Sequence, residues 1–145
     1  MSEISVLLYT ALRTDVTLQG LLDSAIIGGV DFYFIWNSTL VPSTIATDSS
    51  NEYEVTSSMK TINFYLLEPE DLTLSYGEQI FTINCRGPEE EDAKNIQNAG
   101  IDCLNRNLLG ESEGFMTCSK QVVIPPSPGG DDNYNAPVEV TIKSR

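Results

Sequence analysis

The sequence predicts an α+β fold, a mostly antiparallel sheet with two main helices packed on one face, and three observations carry that prediction. Residues 79–104 spell a strand, a sharp turn and a helix in succession. Residues 3–22 repeat their apolar side chains at helical spacing, which predicts a helix or helical hairpin at the start of the domain. The other apolar stretches, 30–36, 58–67, 115–124 and 138–142, are dense in β-branched and aromatic residues or alternate with the two-residue period of a strand. This order of helix, strands, helix, strands supplies too few crossover helices for a doubly wound parallel sheet.

Ser2 is placed to cap the first helix, whose one face carries Ile4, Leu7, Leu8, Ala11 and Leu12. Thr14-Asp15 either ends it or begins a second short turn with Leu18, Leu21 and Leu22. Gly28-Gly29 breaks the helical pattern, and Val30 to Trp36 is expected to form one aromatic strand. From 37 to 51 the chain is polar with Pro42 in the middle, so a long loop is expected near 37–57. A middle strand at 58–67 sets Ile62, Phe64 and Leu66 against Lys60, Asn63 and Tyr65. Glu68-Pro69-Glu70-Asp71 stops it, and a short extension at 72–76 precedes Gly77.

The next strand alternates Phe81, Ile83 and Cys85 with Thr82, Asn84 and Arg86. Gly87-Pro88 ends it, with Pro88 expected at the first helical position, where its missing N–H costs nothing. Glu89, Glu90, Glu91 and Asp92 then put negative charge at the positive end of the helix dipole. Ala93, Ile96, Ala99, Gly100, Cys103 and Leu104 form the apolar stripe of this second main helix. Beyond Gly110, a strand at 115–124 and one carrying Val138, Val140 and Ile142 are expected to close as an antiparallel hairpin, joined by a long polar tip near 125–136. No internal repeat and no heptad run is present.

At 145 residues the whole of 1–145 is expected to be a single domain with one core. The formal charge of −13 argues against a nucleic-acid ligand, because a phosphate backbone would be repelled. No basic segment leads into an apolar run at the N-terminus and no stretch is apolar enough for a bilayer helix, so a cytoplasmic protein with no membrane contact is expected. Asn37-Ser38-Thr39 is then a chance match to the glycosylation triplet. Cys85, Cys103 and Cys118 are odd in number and lack C-x-x-C spacing, which predicts reduced and mostly buried thiols.

The chain has no histidine, so Ser-His-Asp and Cys-His catalysis and His-ligated zinc are excluded. Asp131-Asp132 lacks the alternating ligands and distal Glu of a calcium loop, and neither Gly28-Gly29 nor Gly129-Gly130 sits in a phosphate-binding frame. No catalytic, cofactor-binding or metal-binding residue is therefore expected, and no enzymatic activity. The candidate interface residues are Arg86, Tyr53, Tyr76 and Tyr134. For Arg86 two readings stay open, an ion pair with Glu89 or Glu90 and a contact between subunits, where arginine is enriched. The tyrosines flank the long loops and suit either loop anchoring or an interface formed by ordering.

The leading LLYTALRTDVTLQGLL, the aromatic VDFYFIW, the middle strand TINFYLL and QIFTINCRGPEEEDAKNI running into a helix together resemble the tail-terminator or tail-completion proteins of long-tailed bacteriophages. The resemblance covers residues 3 to 110 and is one of element order rather than of a strict motif. It implies a small α+β virion structural protein, commonly a hexameric ring, that caps the tail tube, stops its polymerisation and offers a surface to the head-tail connector protein. The partners it implies are further copies of the chain, the tail tube protein and the connector, with DNA only passing through the lumen. The place it implies is the tail or neck of a virion assembled in the host cytoplasm. The loop at 37–51 and the Pro-Gly-Asp hairpin tip depart from that pattern. A rival expectation from the charge alone is a small acidic monomeric binding module, or an inhibitor of a basic host protein.

Overall fold

In the computed structural model, which describes residues 3–45, 53–55, 59–67, 78–109, 113–127 and 132–144, the opening pattern becomes two helices, α1 (Glu3–Thr14) and α2 (Val16–Leu21). Asp15 divides them. Its backbone is extended, with φ −72° and ψ 119°, and its Oδ2 accepts the Leu18 N–H at 3.0 Å, which satisfies a donor that the first turn of α2 leaves open. Leu8, Leu12 and Leu18 are fully buried, as the periodicity requires. Ser2, the expected cap of α1, lies outside the described residues.

The next stretch corrects the expectation of a single aromatic strand. β1 (Ser24–Ile27) and β2 (Val30–Tyr33) form an antiparallel hairpin, and β3 (Ile35–Asn37) leaves it to join a different sheet. Gly28 and Gly29 have φ of 62° and 75°, the two positive values that a type I′ turn needs at its centre, and Ile27 pairs with Val30 across them. The glycine pair is thus a hairpin turn. Phe32, Phe34 and Trp36, two residues apart, form a cluster of tilted rings with centroids 5.2 to 6.4 Å apart. Asp23 ties the hairpin to the main sheet: its N–H donates to Lys60 O at 3.1 Å, and its Oδ2 accepts the Lys60 N–H at 2.6 Å.

The expected loop near 37–57 also contains regular structure. β4 (Thr44–Ile45) and β5 (Tyr53–Glu54) pair as a two-stranded ribbon too short to carry a readable period. The main sheet has five strands in the order β3-β6-β7-β9-β8, where β6 is Thr61–Leu66, β7 is Glu78–Gly87, β8 is Glu113–Lys120 and β9 is Tyr134–Ser144. Between β7 and β8 runs α3 (Glu90–Leu104). The neighbours are antiparallel except β3 and β6, which are parallel. The described residues therefore form a mixed α/β fold, rich in strands, with three helices and mostly antiparallel pairing.

Register aligns the apolar residues. Ile62 pairs with Cys85, Phe64 with Ile83, Phe81 with Val140, Ile83 with Val138 and Cys85 with Ala136, so one face of β6, β7 and β9 is continuously apolar. These residues share one buried cluster with Leu8, Leu12, Ile96 and Leu104. α3 packs on β7, β8 and β9, and α1 on β3.

Several expected details shift. Pro88 is not the first helical residue, because Gly87 still pairs with Tyr134 in the sheet; two more residues are needed to turn, so Glu89 is the N-cap and α3 starts at Glu90. In β6 the alternation fails: Thr61, Ile62, Asn63 and Phe64 are all buried, and Asn63 Nδ2 donates to Ser38 O at 3.1 Å, since the chain after β3 passes over that side. β8 stops at Lys120, and Ile124 only bridges singly to Asn135. At the hairpin tip, β9 begins at Tyr134, so its first three residues fall within the expected 125–136 loop. The extension expected at 72–76 and the tip at 128–131 lie outside the described residues.

Candidate functional site

The sheet edges decide where another chain could add. Helix α3 ends at Leu104, and Arg106, at φ 65°, turns the chain back along β8. Arg106 N–H donates to Met116 O at 2.8 Å, Met116 N–H to Asn107 O at 3.0 Å, and Cys118 N–H to Asn105 Oδ1 at 3.0 Å. The outward backbone groups around 116–118 are thereby satisfied within the chain, so this part of β8 is closed to strand addition. β3, at the other edge, offers only three residues.

A cleft of about 360 Å³ opens instead between α3 and the segment that follows β8. Gln97, fully buried, builds its wall: its Nε2 donates to Gln121 O at 3.0 Å and to Pro137 O at 2.9 Å. The two carbonyls fix the orientation of the amide, because a flipped Gln97 would set an oxygen against both. Lys94, Lys120 and Glu90 also line this cleft. Lys94 Nζ lies 3.1 Å from Glu90 Oε1, and Lys120 Nζ donates to the neutral Asn98 Oδ1 at 2.9 Å. Val122 projects with 86% of its surface exposed, while Val123 beside it packs on the core. Val122 also borders a second cleft, of about 340 Å³, lined by Thr82, Ile124, Pro137 and Glu139 among others.

The expected interface residues do not converge on this cleft. Arg86 is half-buried in β7, paired with Thr61 on one side and Asn135 on the other, so it stands inside the sheet and not at an edge. Tyr134 opens β9 opposite Gly87 and packs partly buried against the core. Tyr53 is in β5, where it pairs with Ile45, and Tyr76 lies outside the described residues. Gln97, Lys94, Lys120 and Val122 were not singled out from sequence. One signal was available for Gln97: it falls four residues after Ala93 and three before Gly100, on the stripe assigned to the core.

All three cysteines are free thiols. Burial pushes the Cys85 thiol far above its ordinary 9.0. Cys118 is raised to about 11 by burial. Cys103 is raised to about 12, chiefly by burial and then by the charge of Asp15, a hydrogen bond to Asp15 and the charge of Cys118; its Sγ also donates to Ala11 O at 3.5 Å. None has the electropositive setting of a nucleophile. A thiol raised in the folded chain stays protonated after its unfolded counterpart has ionised, so the unfolded state binds fewer protons and stability falls as pH rises above 9.0. For fully buried Cys85 the loss is up to about 1.4 kcal/mol per pH unit. Urea midpoints measured from pH 8 to 11 should fall more steeply in the wild type than in Cys85→Ala; parallel curves would count against the buried thiol.

Among the described residues no group of three or more His, Cys, Asp or Glu side chains is placed to hold a metal ion, and no helix is long and apolar enough to cross a membrane. No protein-family model matches the chain, and no curated protein matches it. The cleft offers binding chemistry in the form of two ammonium groups, one of them paired with Glu90, an exposed valine and an amide-pinned wall.

Proposed function

We propose that the chain is a structural subunit of a phage tail, a tail-terminator or tail-completion protein that caps the tail tube and joins it to the head connector as a ring. The observation that carries this reading is the order of elements, from the opening LLYTALRTDVTLQGLL helices through the aromatic segment and middle strand to the strand-turn-helix of β7 and α3. In this reading α1 and α3 are the two main helices and share one face of the five-stranded sheet, which the common buried cluster of Leu8, Leu12, Ile96 and Leu104 with the sheet residues supports. Exposed apolar side chains at Val16, Ile26, Val30 and Val122, on a chain without a convergent catalytic set among the described residues, suit burial between subunits. The charge of −13 suits a lumen through which DNA slides without sticking.

Light scattering after gel filtration and negative-stain images test the reading. A ring that binds the ends of tail tubes is expected; a strict monomer at high concentration, inert toward tubes, overturns it. One stoichiometric basic protein recovered from host lysate by a monomer would favour an acidic inhibitor, the reading that the charge alone supports.

A further inference from the structure

We propose that the outer edge of β1 pairs antiparallel with β1 of a second copy of this chain, joining two β1–β2 hairpins into one four-stranded sheet about a twofold axis. The hairpin itself shows which backbone groups are open. Ile27 and Val30 flank the two-residue turn as a hydrogen-bonded pair, Ala25 with Phe32 is the next such pair, and the alternation continues to Asp23, whose O accepts the Phe34 N–H at 3.0 Å. The N–H and C=O of Ser24 and Ile26 therefore point away from β2, and among the described residues β1 pairs with no other strand. Open edge groups of this kind are a template for a further strand.

The other edges suit strand addition less well. β8 is closed at 116–118 by the turn after α3, β3 has three residues, and β4 and β5 have two each. β2 borders a cleft of about 280 Å³ together with Arg13, Thr14 and Gln19, and no residue of β1 lines it. The outward residues of β2 are Asp31 and Tyr33, so two β2 edges in register would set their Asp31 residues on a diagonal of about 7–8 Å, where like charges repel. β1 carries neither a charge nor a proline, the usual guards of an edge, and Ile26 on it is 69% exposed.

Charge and register name the occupant as a second copy. Copies of a chain at −13 repel wherever their acids face, but from 16 to 30 the only charged residue is Asp23, and its Oδ2 accepts the Lys60 N–H of its own chain. Two antiparallel β1 edges satisfy both outward residues only when Ser24 of each copy faces Ile26 of the other, which sets Ala25 against Ala25 at the axis and adds about four hydrogen bonds. The two exposed isoleucines then meet diagonally on one face. The two Asp31 residues go to the outer strands, three strand spacings or about 14 Å apart and beyond the screening length. A lone two-stranded ribbon is marginal in water, and the four-stranded sheet is the more stable form. A twofold contact closes after two copies, so it differs from one that would build a ring and does not depend on the ring reading.

The contact is small and its affinity accordingly weak, so sedimentation velocity of the full chain from about 5 μM to about 500 μM reads it. Ile26→Lys should weaken pairing at least about tenfold, since lysine guards an exposed edge, and Ile26→Val should lose less; circular dichroism should stay that of the wild type for both, because Ile26 is exposed. Ala25→Cys reads the register. At the axis the Cα atoms of a non-hydrogen-bonded pair are about 4.5 Å apart, within disulfide reach. Diamide, which takes the two hydrogens of two thiols, should therefore give a disulfide-linked dimer of Ala25→Cys and none of the wild type with its three native thiols. A dimer unmoved by Ile26→Lys, an Ala25→Cys chain that does not cross-link, or a wild type monomeric at about 500 μM each overturns the β1 pairing. A ring that forms in spite of those results leaves the tail reading standing. A dimer that cross-links through Ala25→Cys and grows no further supports the pairing and counts against the ring.

Discussion

Phe81→Ala is expected to destabilise the chain by about 3–5 kcal/mol, a large part of the ~5–15 kcal/mol that holds an ordinary domain together. Phe81 has no exposed surface, lies in β7 between Leu66 of β6 and Val140 of β9, and packs against Phe64 at a centroid distance of 6.4 Å. Truncation removes the transfer free energy of the ring and leaves a cavity that strands hydrogen-bonded on both sides cannot collapse to fill. Phe81→Leu, which keeps more of the volume, should cost clearly less. Urea unfolding followed by circular dichroism measures both, and a shift as small for Ala as for Leu would mean that the sheet relaxes more than its pairing suggests.

Gly87→Ala is expected to cost about 1–3 kcal/mol, through overpacking. Gly87 closes β7, and a Cβ built on it would meet Asp92 Cβ at 2.7 Å and Ala93 N at 3.3 Å. Both atoms belong to or sit directly on the backbone of α3, so relief requires moving the helix off the strand, and α3 is anchored by Ala93 and Ile96 in the core. The unfolding midpoint should fall with the slope of the transition unchanged. An unaltered midpoint would show that the turn between β7 and α3 opens at little cost.

The same glycine shows how far the sequence could be read. Gly87-Pro88 was legible as a break, because the apolar period changes from two residues to helical spacing across it. The reason for glycine there was not legible, since it lies in the approach of two elements and not in a turn. Gly28-Gly29 failed in the opposite sense. Read beside a helical pattern it looked like a stop, but Ser24 to Ile27 is too short a run to declare itself a strand before its partner is known. The aromatic segment after it reads as one strand because Phe, Tyr and Trp favour any strand; only pairing separates β2 from β3.

For the candidate site the balance is less even. Arg86 stands near the end of β7, as its place before Gly87-Pro88 predicts, but that it is flanked there by β6 and β9 is a matter of strand order that no local signal reports. The cleft joins α3 to a segment more than twenty residues further on, through hydrogen bonds from Gln97 to Gln121 and Pro137, and no local period reports a contact of that sequence separation. Gln97 carried a faint mark as a polar residue on an apolar stripe. Lys94 and Lys120 carried none, because a lysine on a helix or at a strand end is ordinarily a solvated charge.

By itself the sequence determined the α+β class, the buried faces of α1, α3, β7 and β9, the acidic start of α3, and the exclusion of histidine chemistry, because period, composition and dipole complementarity act within a few residues. Tertiary structure alone decided the order β3-β6-β7-β9-β8, the parallel pair within it, the closing of β8 by the turn after α3, and the cleft that gathers two of the few cations on a strongly acidic chain. Those features depend on backbone hydrogen bonds and packing between residues far apart in sequence, where many pairings satisfy the same local pattern and only the one that buries a common face is kept.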